Sequence, residues 1–443
     1  MKIIGFAFLF SAALAFAGQN SGDSVAVGCA SGAKIESIDL DGLKYTKPHV
    51  VWRELSHKVG GVFSQETFEA EKLRLQDLDL FTEISVSCDV DSLTSLHSAP
   101  NDTLSSLVSR LSSKLTYHFK EIFRWIPSPD SKTTDRDGLM LGLALANLNV
   151  LGEDIRAEVH YRTAVDPIFE KNEYAFYASS PYLFDVPLGW NIDFTRTDSW
   201  DDLRKFKDAC WLLSLDVNWK LIPHFSVLGK IVYRYLEGGP GFLPEIGIGA
   251  AVDYRDSELD SRKGIYFETA VTHVGIGGSR GENFVEFLED ARAYYSLGRF
   301  VTGATALVRL RPGDVKLYDY FYHGGTNSFR GLDGPDAQHL GVHEMLLTLE
   351  ERFVLLDRRS ASLWGVNFFY GIQLVAGFDG SVLWNKGAPG WKNYEGAFYG
   401  GLHLVIPALD RIRFEVGYSP DKGEPKFTWG ISGKTTTQRW RGR

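Results

Sequence analysis

The 443-residue chain has only three methionines, three cysteines and no surplus of positive charge. Its formal net charge of -9 excludes the clustered Lys and Arg footprint that nucleic-acid binding needs. After Leu14, no segment supplies the roughly 18–20 uninterrupted apolar residues that a membrane-spanning helix requires. If the chain spans a membrane, it must do so as a closed barrel. The eleven histidines show no metal-ligand spacing and no nucleophile stands in pattern with a base. No catalytic residue, metal or cofactor is therefore expected, and the chain reads as a non-enzyme.

What is present begins with a secretory signal over residues 1–17. Lys2 precedes an apolar run from Ile3 to Leu14, and Ala15-Phe16-Ala17 supplies the small-residue cleavage site. In an oxidising compartment Cys29 and Cys88 can bridge within one small domain, leaving Cys210 odd, although independent buried thiols fit the sequence as well.

Residues 18–121 have the pattern of a compact α+β unit. Ile35–Leu40 alternates as a half-buried strand and ends in a turn at Asp41-Gly42. Thr46 is placed to cap a helix with Pro48 just inside, carrying Val50, Val51 and Leu55 and stopped by Gly60-Gly61. Ser64 caps a second helix with Phe68, Leu75 and Leu78 on one face. Strands at Thr82–Cys88 and Leu115–Glu121 follow. Between them, residues 89–113 insert a serine-rich polar segment in which Leu104, Leu107, Val108 and Leu111 have the spacing of a short amphipathic helix. This order lays two helices on one face of a three-stranded sheet. The sheet edge at Ile84 and Val86 would offer unpaired backbone groups to an extended client. The unit resembles a polypeptide-transport-associated (POTRA) domain, through IESIDLDGLKYTKPHVVWREL, Gly60-Gly61-Val62-Phe63 and the Leu75–Val86 stretch. The insertion departs from that pattern.

From residue 122 to 443 the polarity changes with period two, in segments of nine to twelve residues. Trp211, Leu213, Leu215, Val217 and Trp219 oppose Ser214, Asp216, Asn218 and Lys220; Ile412, Phe414, Val416 and Tyr418 oppose Arg413 and Glu415. A soluble sandwich alternates similarly. Charge on the face that would line a lumen, and aromatics near strand ends, favour a transmembrane antiparallel β-barrel. About sixteen strands are expected, starting near Ile122, Gly138, Asp154, Asn172, Pro187, Ala209, Phe225, Ile246, Gly264, Asn283, Val301, His343, Leu363, Gly396, Arg411 and Lys426.

Four stretches, in this order, resemble the BamA/TamA/FhaC-type superfamily of POTRA-bearing outer-membrane barrels. They are Asn147–Gly152; Val252–Asp256 with Lys263-Gly264; Gly324-Gly325 with Phe329-Arg330-Gly331-Leu332 and then Leu349–Phe353; and Gly377–Gly380 with Trp384. The resemblance implies a long loop folded into the barrel and an arginine that latches onto acidic residues of the inner wall. Strand parity puts Glu350 and Asp379 on that wall, so they are the expected partners of Arg330, with Gly325, Phe329 and Gly331 shaping the loop. Asp253, Arg255 and Asp256 read as charges at a strand end.

The same resemblance implies weak pairing between the first and last barrel strands, marked by Ile122 and Trp125 on one side and Phe427, Trp429 and Ile431 on the other. Pro127, Pro129, Gly430 and Gly433 would weaken that seam. Lys434–Arg443 runs on past the expected terminal aromatic, and reads either as a solvated basic extension or as carrying a displaced signal at Trp440. The implied function is insertion or translocation of unfolded outer-membrane or secreted proteins. The implied partners are membrane lipid, these clients and accessory periplasmic or lipoprotein subunits. Secretion of one dedicated exoprotein and a passive pore are the alternatives. Against dedicated secretion, about fifteen residues separate the signal from the first small-domain strand, too few for a plug helix and linker.

Overall fold

The structure, a computed structural model, describes the chain except residues 1–28, 30, 91–111, 135–137, 166–168, 202–205, 208, 240, 258–259, 278–281, 326–327, 333–339, 364–365, 407–409 and 433–443. The signal segment, the helix expected at 104–111 and the basic tail lie outside the described residues. The rest divides into two compact units. One comprises Met1–Arg124 with Asn149–Asp154 and Arg358–Tyr370, and the other holds the remainder.

In the first unit, β3 (Ser112–Glu121) is the central strand, parallel to β1 (Lys34–Asp41) and antiparallel to β2 (Phe81–Val90). A register shift between Ile35 and Ser37 lets both Ile35 and Ile38 face the core despite their odd spacing. Helices α1 (Pro48–Trp52) and α2 (Gln65–Asp77) contribute Val50, Val51, Phe68 and Leu75 to that core, against Ile84, Val86, Leu115 and Tyr117. Ser64 caps α2 as expected, its hydroxyl accepting from the Thr67 N–H.

The first helix differs from its expectation. Lys47, not Thr46, occupies the cap position, and the helix ends at Trp52, well before Gly60-Gly61. The Glu121 carboxylate takes the Tyr45 and Thr46 N–H groups at 3.0 and 2.8 Å, and the Thr46 hydroxyl accepts from Asn149 Nδ2 instead. Gly152 belongs to the same unit. Its φ of +78° excludes most side chains, and a Cβ there would lie 2.2 Å from the Tyr45 carbonyl oxygen. A disulfide joins Cys29 to Cys88, and Cys210 is a free, half-buried thiol.

One buried acid organises this unit. Glu71 accepts from the Ser56 and His57 N–H groups at 2.5 and 2.6 Å, from His57 Nδ1 at 2.8 Å and from the Tyr117 hydroxyl at 2.6 Å. Burial alone would raise its pKa, but the hydrogen bonds from His57 and Tyr117 outweigh burial and hold the carboxyl below the usual range. The Ser64 N–H donates to His57 Nε2, which turns Nδ1 toward Glu71 and fixes the ring between the two.

The second unit is built on one antiparallel ladder, with a separate two-stranded pair beside it. Its strands are β4 (Trp125–Thr134), β5 (Gly138–Val150), β6 (Ile155–Ala164), β7 (Phe169–Ser180), β8 (Leu188–Asp201), β9 (Phe206–Lys207), β10 (Cys210–Ile222), β11 (Phe225–Leu236), β12 (Gly241–Asp253), β13 (Gly264–Val274), β14 (Asn283–Leu297) and β15 (Phe300–Leu310). There follow β16 (Gly313–Asp314), β17 (Phe321–Tyr322), β18 (Leu340–Gly341), β19 (His343–Leu363), β20 (Val366–Trp384), β21 (Tyr394–Ile406), β22 (Asp410–Tyr418) and β23 (Pro425–Ser432). Eighteen strands join the ladder, and setting aside the two-residue β9 and β16 leaves sixteen. Because β8 also pairs with β10, the run from β4 to β8 continues into β10–β23 as one sheet, and β23 comes next to β4 in the strand order. The β12 strand starts five residues ahead of the expected Ile246. Gly241–Pro244 reads as a turn in isolation but pairs with Tyr233–Leu236.

The distribution of side chains is inverted relative to a soluble protein. On β10, Trp211, Leu213, Leu215 and Trp219 are exposed, whereas Ser214 and Asp216 are buried. On β11, Ile231, Tyr233 and Tyr235 are exposed and Lys230 and Arg234 are buried. An apolar outer face around a charged interior is the arrangement that lipid selects.

Candidate functional site: the arginine segment and the strand seam

Between β15 and β19 the chain turns back into the interior of the second unit. The segment is held first by β17 pairing with β18, then by His323, whose ring nitrogens meet Ser381 at 2.6 Å and Glu344 at 2.7 Å. The Gly325 N–H donates to the carbonyls of Phe329 and Leu332, closing a tight loop that sets Arg330 at its tip. Gly325 has φ +96°, which a side chain would strain. Phe329 is fully buried with Leu332 and Ala397. Gly331 lies so close to Ala397 that a Cβ would approach it to 2.7 Å.

Arg330 itself is 5% exposed. Nε and Nη2 form a two-point pair with Asp379 at 2.6 and 2.7 Å, and the Arg330 N–H reaches the same carboxylate at 3.2 Å. Nη1 donates to Glu415 at 2.9 Å and lies 3.7 Å from Glu350. The guanidinium carbon sits 3.2 Å from the centre of the Tyr399 ring, whose hydroxyl donates to Glu350 at 2.9 Å. Thr348 steadies Asp379, and His403 lies 2.9 Å from Glu415. Two glycines make room. A Cβ at Gly417 would lie 1.9 Å from the Arg330 carbonyl oxygen, and one at Gly377 would strike the Tyr399 ring. One arginine thus grips β19, β20, β21 and β22, the four strands leading to β23.

The structure brings Arg330 together with Asp379 and, more loosely, Glu350, and it shortens the role expected of Glu350. Glu415 is the closer second acid, and sequence reasoning did not pair it with Arg330 although parity had placed it inward. Glu350, His403 and Glu415 are near enough to ligate a cation. The guanidinium of Arg330 fills that place, so the residues do not fit a resident metal.

At the seam, Trp125 begins β4 and is exposed, and Phe427 and Trp429 face outward from β23. Ile431 pairs with Ile412. Ile122 is a correction: its N–H donates to the Leu80 carbonyl, so it belongs to the first unit, and the first barrel strand starts three residues later. Among the described residues, β23 and β4 approach over a much shorter stretch than β22 and β23. On its other side β4 is pinned. Asp130 meets His160 at 2.8 Å and Arg162 at 2.6 Å on β6, reaching across Gly142 of the intervening β5. Ile84 and Val86 lie on an edge strand, but their side chains face the core at 2% and 1% exposure. Any client there would meet backbone, not these side chains.

This geometry defines a class: a sixteen-stranded antiparallel sheet of the outer-membrane-barrel type with an arginine-bearing segment folded against it. The Omp85 superfamily domain matches residues 147–434, and the chain belongs to that superfamily. It is accordingly an outer-membrane protein of the insertion and translocation kind, and not an enzyme. A comparison with curated protein sequences finds no match. Among solved structures the chain is similar to CdiB from Escherichia coli, at 15% identity over 90% of this chain and 75% of that one, with a TM-score of 0.57. It is also similar to CdiB from Acinetobacter baumannii (12%, 90% and 72%, TM-score 0.53) and to BamA from Haemophilus ducreyi lacking POTRA domains 1–3 (12%, 90% and 83%, TM-score 0.51). These likenesses establish the shared fold.

Proposed function

We propose that the protein receives unfolded outer-membrane or secreted proteins at the outer membrane and admits their strands at the β23–β4 seam. The small first unit acts as a periplasmic POTRA domain that engages clients at the backbone edge of β2. The observation that carries this reading is the contrast at the seam. Strand β4 is fastened to β6 through Asp130, and β19–β22 are fastened to one another through Arg330, while the junction between the two groups is short. A break there exposes two edges without dismantling either wall. The Arg330 segment is the lock that keeps the β19–β22 wall in its closed arrangement. Net drive comes from client folding, so no nucleotide is needed.

Depletion of the protein followed by quantitative profiling of outer-membrane and secreted proteins tests the reading. Several barrels falling together supports insertion, and one secreted protein falling alone supports dedicated secretion. No change, together with large and steady single-channel conductance, would leave a passive pore and overturn the proposal.

A further inference from the structure

The connection between β12 and β13 leaves the ladder at the end opposite to the Arg330 segment, because the strands alternate in direction and three strands separate the two connections. It too enters the interior. Asp260 is 4% exposed, and its carboxylate accepts from Arg352 Nη1 at 3.0 Å, Arg411 Nη2 at 2.9 Å and Gln373 Nε2 at 2.9 and 3.1 Å. The Ser261 carbonyl accepts a second bond from Arg352. These partners stand on β19, β20 and β22, the wall that Arg330 grips from the other end.

The connection is built to hold this position. Arg255 makes a two-point pair with Asp253 at 2.8 and 2.7 Å and lies 4.4 Å from the centre of the Tyr266 ring. Asp256 accepts the Arg262 and Lys263 N–H groups at 2.9 and 3.1 Å, and Arg262 pairs with Asp357 at 2.5 and 3.0 Å. Gly264, at φ +104°, packs so tightly that a Cβ would lie 2.0 Å from the Tyr254 carbonyl oxygen. The charges expected merely to decorate a strand end therefore fix the flanks of the connection that carries Asp260.

The two grips touch. Arg352 pairs with Asp260 at 3.0 Å and with Glu350 at 3.4 Å, and Glu350 lies 3.7 Å from Arg330. The geometry points to Asp260 as a second lock of inverted charge, coupled to Arg330 through Glu350 and Arg352, so that loosening one end of the β19–β22 wall loosens the other. Alternating charges make this directional: withdrawing Asp260 leaves Arg352 free to compete with Arg330 for Glu350. The inference rests on the lock reading of Arg330.

The test uses the full chain in proteoliposomes, with Cys210→Ser and Ser328→Cys as the parent. Ser328 is buried beside the lock, so the rate at which a soluble maleimide labels the introduced thiol reports release of the Arg330 segment. Asp260→Asn is expected to raise that rate at least about fivefold, and Glu350→Gln is expected to abolish most of this effect. A parent-like rate in Asp260→Asn overturns the coupling, and so does an undiminished effect in Glu350→Gln. Arg330→Ala separates the two ideas: if it too labels at the parent rate, the lock itself falls. Heat-modifiable migration verifies folding. If Asp260→Asn fails that check, Arg411→Gln, which leaves Arg352 on Asp260, should keep labelling within about twofold of the parent, and a rise of about fivefold there overturns the route through Arg352.

Discussion

Arg330→Ala is the most informative single change. Asp379 and Glu415 are both fully buried, and Arg330 supplies each with its guanidinium partner. Truncation leaves Asp379 with the Thr348 hydroxyl and Glu415 with His403, neither of which replaces a two-point ion pair. Removing one partner of a buried pair costs about 3–5 kcal/mol. This loss falls on the locked arrangement alone, provided departure of the segment opens the two carboxylates to solvent. At about 1.4 kcal/mol per tenfold, the ratio of locked to released segment should fall by roughly a hundred- to a few thousand-fold. Limited proteolysis of the folded, membrane-embedded protein at residues 321–332 measures this directly. Arg330→Lys keeps the charge but not the fork, and should lie between the two. Among the acids, loss of protection should follow distance: Asp379→Asn and Glu415→Gln severe, Glu350→Gln mild. Wild-type protection in Arg330→Ala, or a larger effect from Glu350→Gln than from Asp379→Asn, would refute the reasoning.

Gly417→Ala should release the segment with Arg330 intact, since its Cβ would lie 1.9 Å from the Arg330 carbonyl oxygen; a protease pattern like that of the parent would show that the backbones are less closely apposed. Cys88→Ser opens a loop spanning 59 residues and should lower the stability of the first unit by about 4 kcal/mol, measured as faster hydrogen exchange in β2 and β3 of the full chain. Glu71 has a depressed pKa in the fold, so its contribution is complete above the unfolded value of about 4.3 and is lost as pH falls through the lower folded value. Exchange protection of α2 should therefore decline with acidification below about pH 4.3 in the parent. In Glu71→Gln it should be weaker at neutral pH and flatter across that range.

The strands were legible because lipid outside and charge inside impose a strict period of two. Trp211–Asp216 shows its buried face in the sequence itself, and so does Glu415 ahead of exposed Val416 and Tyr418, whereas Ile412 is buried and Lys220 exposed against the expected parity. What failed locally did so where a distant group took over a local task. Thr46 has the chemistry of a cap, but Glu121, brought close by β3, satisfies the N–H groups a cap would serve. Ile122 has the character of a barrel residue, yet its N–H completes the first unit's sheet beside Leu80.

The site shows a deeper limit of the same kind. Parity says which face of a strand a residue occupies, and so placed Glu350, Asp379 and Glu415 inward together. It does not say how far around the ladder an arginine reaches, because that depends on the stagger between strands and on where glycines let backbones approach. Gly377 and Gly417 decide it here. By leaving space for the Tyr399 ring and the Arg330 carbonyl, they draw the segment across β21 toward β22, where Glu415 replaces Glu350 as the nearer acid. Glu350, displaced from direct pairing, becomes the residue that faces both Arg330 and Arg352. Its weaker distance to Arg330 is thus the feature that lets it connect the two ends of the wall. A carboxylate fully committed to Arg330 would have no remaining oxygen to hold Arg352 in place.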